Sequence, residues 1–153
     1  MTVKILTIST GKCSNISLYN SFQEEEKIVL SAIAKSPVSS IDNQVEIRCG
    51  FEGLQGDEHA DLSVHGGQAK AIYCYPVDHY DYWRNAVGAS DIRLSRLDQH
   101  GAFGENLTIE GIEEDQAFVG NVWKINDVEL EVTAPREPCF KFNAIPFFCL
   151  NFP

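Results

Sequence analysis

With 153 residues, 44% of them apolar and 22% charged, the chain is long enough for one ordinary globular domain and too short for two comfortable ones. A formal net charge of −10 argues against a broad phosphate-tracking surface, so no nucleic-acid partner is expected, while a small anionic ligand is compatible with it. No segment has the apolar length to span a membrane, and five cysteines, odd in number and without a C-x-x-C pair, suit a reducing cytoplasm better than a secreted disulfide scaffold.

Residues 3–9 are rich in β-branched side chains, end near Gly11 and lack the long apolar stretch of a signal peptide; they predict a first strand. The acidic run Glu24-Glu25-Glu26 reads as a solvated turn before a second strand over 27–34, and 45–49 predicts a third. Glycines then punctuate the chain at short intervals from Gly50 to Gly120, as tight turns between short strands require. The stretch 53–70 packs Asp57, His59, Asp61, His65, Gly66, Gly67 and Lys70 into one shaped loop. Gly66 and Gly67 let backbone amides approach a ligand, and Lys70 adds a positive charge, an arrangement suited to phosphate.

A rival reading makes Asp57, His59, Asp61 and His65 ligands of a divalent metal, although their spacing matches no standard signature; plain turn caps are the alternative to both. Pro76 suits the first position of a helix, and Val77, Tyr80, Trp83, Arg84 and Val87 recur at helical spacing until Gly88, so 76–87 predicts one amphipathic helix with Tyr80 and Trp83 in the core. The run 101–108 places Glu105 and Asn106 after a glycine turn, where they face a site or brace their own loop. Strands are predicted over 106–109 and 128–133. Together these elements predict a mostly β protein, a barrel or sandwich of short strands with one helix.

Cys139 lies in Ala134-Pro135-Arg136-Glu137-Pro138-Cys139-Phe140-Lys141, where two prolines stiffen the backbone and two cations flank the thiol of an acidic chain. Nearby cations favour a thiolate, which is the form needed by a nucleophile or a soft-metal ligand. The plainer reading is a small buried apolar residue.

Taken in order, "SAIAKSPV", "GLQGDEHADLSVHGG", "KAIYCYPVDHYDYW", "GAFGENLT" and "PREPCFK" resemble the MOSC domain family (molybdenum cofactor sulfurase C-terminal-like), most closely its YiiM-like branch, from near residue 3 to about 143. The resemblance implies a MOSC-type β-barrel that binds the molybdenum cofactor, a molybdopterin, with Cys139 as the thiolate ligand of molybdenum and the catalytic residue. It implies that Lys70, Arg136 and Lys141 offset the pterin phosphate, that Gly66 and Gly67 donate backbone N–H groups, and that His65, Glu105 and Asn106 hydrogen-bond the pterin or relay a proton. Pyridoxal phosphate is not supported.

The activity implied is reduction of small N-hydroxylated compounds, such as hydroxylaminopurines, with electrons from a redox partner. A noncatalytic sulfur or molybdenum-cofactor carrier, or an inactive truncated remnant, are the alternatives. The family normally continues beyond the cysteine motif, whereas residues 142–153 here form an apolar tail unlike that continuation; the barrel is therefore expected to be incomplete at the C-terminus, with a homodimer as one consequence.

Overall fold

The computed structural model describes residues 3–20, 25–86 and 97–137; Cys139, Lys141, Val87 and the tail lie outside them. The central sheet contains β1 (Lys4–Thr10), β4 (Ser36–Ser40), β7 (Cys74–Pro76) and β8 (Leu107–Glu110) in the order β4-β1-β8-β7. β1 pairs antiparallel with both β4 and β8, and β7 runs parallel to β8. Three two-stranded pieces complete the described strands: β2 (Ser14–Asn20) with β3 (Glu25–Ser31), β5 (Cys49–Gly50) with β6 (Gly53–Leu54), and β9 (Val122–Ile125) with β10 (Val128–Glu131). Among the described residues these strands close no barrel, in keeping with the mostly β, incomplete architecture read from the sequence.

The alternation along β8 explains how the sheet separates two kinds of environment. Leu107 and Ile109 face one apolar cluster, with Leu54 and Ile112 and with Ile5, Ile8, Trp123 and Leu130 against them. Thr108 points the other way and donates its hydroxyl to Glu105 at 3.0 Å. On that side α1 (Tyr80–Ala86) delivers Tyr80 and Trp83 into a second cluster with Tyr75, Leu97, Ala102 and Phe103. A single 3-10 turn over Val77–His79 precedes it, so the predicted helix is present with its first turn tightened. Phe103, 1% exposed, lies 4.5 Å from the Tyr75 ring and 5.1 Å from Tyr80, centroid to centroid. Burying such a ring contributes about 2–3 kcal/mol. The core reading of the aromatic stripe therefore holds.

One predicted strand is corrected. Of 45–49, only Cys49 belongs to a strand, because the Val45 amide donates to the Ser39 hydroxyl at 2.9 Å instead of joining a ladder, and Ile47 packs onto the β8 cluster from an irregular segment. The strand expected over 27–34 ends at Ser31, which frees the backbone of 32–35 to turn toward the site below.

His100 sits where the loop before β8 meets β1, its Nδ1 in a short hydrogen bond with the buried Thr7 hydroxyl. Burial pushes its pKa below the ordinary histidine value, with the nearby Glu105 charge opposing. A histidine whose folded pKa is lowered binds fewer protons folded than unfolded, so its contribution to stability is present above the unfolded value and lost as pH falls through it. Between pH 7.5 and 5.5 the thermal midpoint is expected to fall more steeply in the wild type than in His100→Asn; parallel curves would remove His100 from the acid response.

Candidate functional site

Ala32 and Ile33, which follow β3, and Lys35 just beyond them form one wall of a recess of about 60 Å³; the rest is contributed by Glu58 to Ala60, by His65, Gly66 and Lys70, and by Tyr73, Gly104, Asn106 and Arg136. The residues come from segments far apart in the chain, and a buried hydrogen-bond network joins them. Asp57, its side chain 1% exposed, is the hub: Oδ1 accepts from the Gly11 amide at 2.8 Å and from Lys35 Nζ at 2.5 Å, and Oδ2 accepts from Asn106 Nδ2 at 2.8 Å. Asn106 also donates to the Ser9 carbonyl at 3.2 Å and accepts the Tyr73 amide at 3.1 Å. Thus β1, the loop carrying Asp57 and the start of β7 are tied together under the recess.

The walls are positively charged despite the acidic chain. Lys35, 8% exposed, has its pKa lowered chiefly by burial, while its bond to Asp57 opposes this and Arg136 adds to it. Lys70 donates to the Val64 carbonyl at 3.1 Å, which pins the short 3-10 turn Gln68–Lys70 across the loop. Arg136 lies over the Tyr73 ring at 5.1 Å, and the Thr133 hydroxyl donates to Ala69 at 2.7 Å, bringing the segment after β10 beside that turn. Glu58 is the one carboxylate among the described lining residues. The Cys13 amide, donating at 2.7 Å, together with Lys12 at 3.0 Å, holds its carboxyl below the usual range, so it is ionised at neutral pH.

Gly66 has φ of 83° and passes so close to the His59 ring that a Cβ there would come within 2.9 Å of Cγ. No side chain fits there without moving His59, and the left-handed backbone itself disfavours one. Gly67, at φ 68°, adds the second unusual backbone turn but is not part of the recess wall.

Of the residues singled out in the sequence, His59, His65, Gly66, Lys70, Asn106 and Arg136 meet at this recess. Cys139 and Lys141 lie outside the described residues. Glu105 lies elsewhere: it is fully buried, and its carboxylate accepts from the Gly101 and Phe103 amides at 2.9 Å each, from Thr108, and from the Tyr80 hydroxyl through a short bond. Its oxygens brace the loop before β8 and do not reach the recess.

The sequence reading missed Lys35, whose signal was its place at the end of "SAIAK" inside the first quoted motif. The metal reading of Asp57, His59, Asp61 and His65 is not what the loop builds. Asp57 is committed to Lys35 and Asn106, Asp61 accepts from Ser63, and among the described residues no three His, Cys, Asp or Glu side chains are grouped to hold a metal ion.

A model of the MOSC domain matches residues 61–146, more than half of the chain. The chain belongs to the MOSC domain family. It is 36% identical over 113 residues to protein YiiM of Escherichia coli, covering 74% of this chain and 46% of that one, and 41% identical over 97 residues to a reductase of Gibberella moniliformis, covering 63% of this chain and 16% of that one. The crystal structure of YiiM from Geobacillus stearothermophilus superposes with a TM-score of 0.61 at 27% identity, over 95% of this chain and 57% of that one. The chain is thus a YiiM-like MOSC protein and spans about half the length of the Escherichia coli YiiM and a smaller part of the reductase. Among the described residues no helix is long and apolar enough to cross a membrane.

Proposed function

We propose that this MOSC protein binds the molybdenum cofactor in the cytoplasm and reduces small N-hydroxylated compounds, such as hydroxylaminopurines, with electrons from a redox partner. The observation that carries the reading is the convergence of Lys35, Lys70 and Arg136 with Gly66 on one recess of a chain whose net charge is −10. Cationic side chains beside a left-handed glycine turn are the donor set an anionic pterin phosphate requires, so the residues fit that part of the group. Lys35, Lys70 and Arg136 would offset its charge and the loop at Gly66 would approach it closely; Cys139, three residues beyond Arg136, would supply the thiolate that a soft metal prefers. When bound, the cofactor supplies a redox metal able to exchange the two electrons that N–O bond reduction needs. The association of MOSC domains with this cofactor and the reductase among the relatives support the same reading.

Metal and pterin content tests it directly. Protein purified from a host that makes the cofactor is expected to carry near-stoichiometric molybdenum and pterin, and Cys139→Ser to lose the molybdenum, because a hydroxyl is a poor ligand for a soft metal. Stoichiometric molybdenum retained by Cys139→Ser would overturn the assignment, and a folded wild type devoid of both would turn the reading toward a sulfur carrier.

A further inference from the structure

His59 lines the recess beside Lys35, Lys70 and Arg136; the proposed cofactor contacts do not use it, and the metal reading that did is discarded. Its ring is confined. On one side lies Gly66, where an added Cβ would approach Cγ to 2.9 Å and Nδ1 to 3.1 Å; on the other lies Gly53, where a Cβ would stand 3.8 Å from Cε1. Nε2 is 4.0 Å from Asp57 Oδ2. The side chain is 18% exposed, while Asp57 is buried behind it with its charge already answered by Lys35. An imidazole held at the edge of a cationic recess, with a carboxylate at its back, is placed to add or withhold one positive charge near neutral pH.

The other charged and titratable groups on these walls are Lys35, Lys70, Arg136, His65, Glu58 and Tyr73, whose phenol burial keeps neutral, with Asp57 behind. Glu58 is held in its ionised form, and of these side-chain types histidine is the one whose ordinary pKa lies between pH 5.5 and 8. His65 sits on the outer loop, its amide bonded to the Asp61 carbonyl at 2.9 Å, whereas His59 lies beside the Lys35–Asp57 pair.

We propose that His59 is a titratable anion-binding residue of the recess: protonated, it joins Lys35, Lys70 and Arg136, so that an anionic ligand is held more tightly as pH falls. The inference deepens the cofactor reading, since it rests on the recess taking an anion. Linkage makes the effect reciprocal: the bound anion raises the pKa of His59 by as much as protonation strengthens binding.

The test uses the full chain with sulfate, which remains a dianion from pH 5.5 to 8 and so contributes no titration of its own. Calorimetric affinities are expected to tighten about fivefold from pH 8 to pH 5.5, as one added charge beside a dianion gives at a partly exposed site. His59→Gln should lose that gain. Independently of any variant, the His59 ring resonances of the wild type should titrate at higher pH with sulfate than without. A wild-type pH gain surviving in His59→Gln, or a His59 titration that sulfate does not move, would overturn the proposal while leaving the anion site intact. Absence of sulfate binding at every pH would instead overturn the anion reading of the recess, and this proposal with it.

Discussion

Glu105→Gln is expected to lower the thermal midpoint by about 10 °C, the consequence of about 3–4 kcal/mol lost from a chain of this length. The carboxylate accepts two amides, Gly101 and Phe103, and two hydroxyls, Tyr80 and Thr108, without exposure to water. Glutamine keeps the shape but replaces one acceptor oxygen by an NH2 group, which meets donors head-on and leaves buried N–H or O–H groups unpaired. The loop it braces carries Ala102 and Phe103 into the aromatic cluster, so the loss spreads to packing. Were Glu105 instead free to hydrogen-bond the pterin, as the family resemblance implies, the substitution would leave the melting transition nearly unchanged and reduce cofactor content alone. Differential scanning calorimetry together with pterin content separates the two roles.

The burial of Glu105 shows what kind of information a sequence lacks. Placing an acid after a glycine turn and before a strand is legible from residues 101–108, but which way its side chain faces depends on where Tyr80 and Thr108 arrive, and these come from another element and the far side of β8. Asn106 illustrates the same point with a better outcome, since it does line the recess, though chiefly as a brace between Ser9, Asp57 and Tyr73. The strands β1, β3, β8 and β10 were readable from their β-branched content.

By contrast, β4 was hidden because Ser36-Pro37-Val38-Ser39-Ser40 looks like loop composition; it is tolerated as a strand because it lies at the sheet edge, where proline need not donate to a ladder on its outer side. β7 is only three residues long and exists by pairing in parallel with β8, a long-range partner that no local pattern announces. The shape of the 53–70 loop was more legible, because Gly66 and Gly67 take left-handed backbone conformations that only local residue type decides. Lys35 was not, since a lysine beside Ser36-Pro37 has the composition of a surface turn, and its burial follows from Asp57 lying across the fold.

Lys35→Met is expected to cost about 3–5 kcal/mol, because it strands the Asp57 carboxylate in the interior with Asn106 and the Gly11 amide as its remaining close donors. Asp57→Asn should cost less. Burial has already pulled the Lys35 pKa down, so once the carboxylate is gone the amine sheds its proton instead of remaining as an uncompensated charge. The sign of the accompanying pH dependence follows. A lysine with a folded pKa below its unfolded value of 10.5 binds more protons unfolded than folded, so stability rises with pH across the window between the two values.

Asp57→Asn widens that window downward by removing the partner that opposed the shift, so its stability deficit relative to wild type should shrink as pH is raised toward 10. Combining Lys35→Met with Asp57→Asn should recover at least about 2 kcal/mol relative to the sum of the single changes, as expected for a buried pair. Denaturant unfolding of the four proteins at pH 7 and pH 9.5 reads both effects. Additive single effects, or an Asp57→Asn deficit that does not change with pH, would mean that Lys35 and Asp57 stabilise the recess independently and that its charge is not set by their pairing.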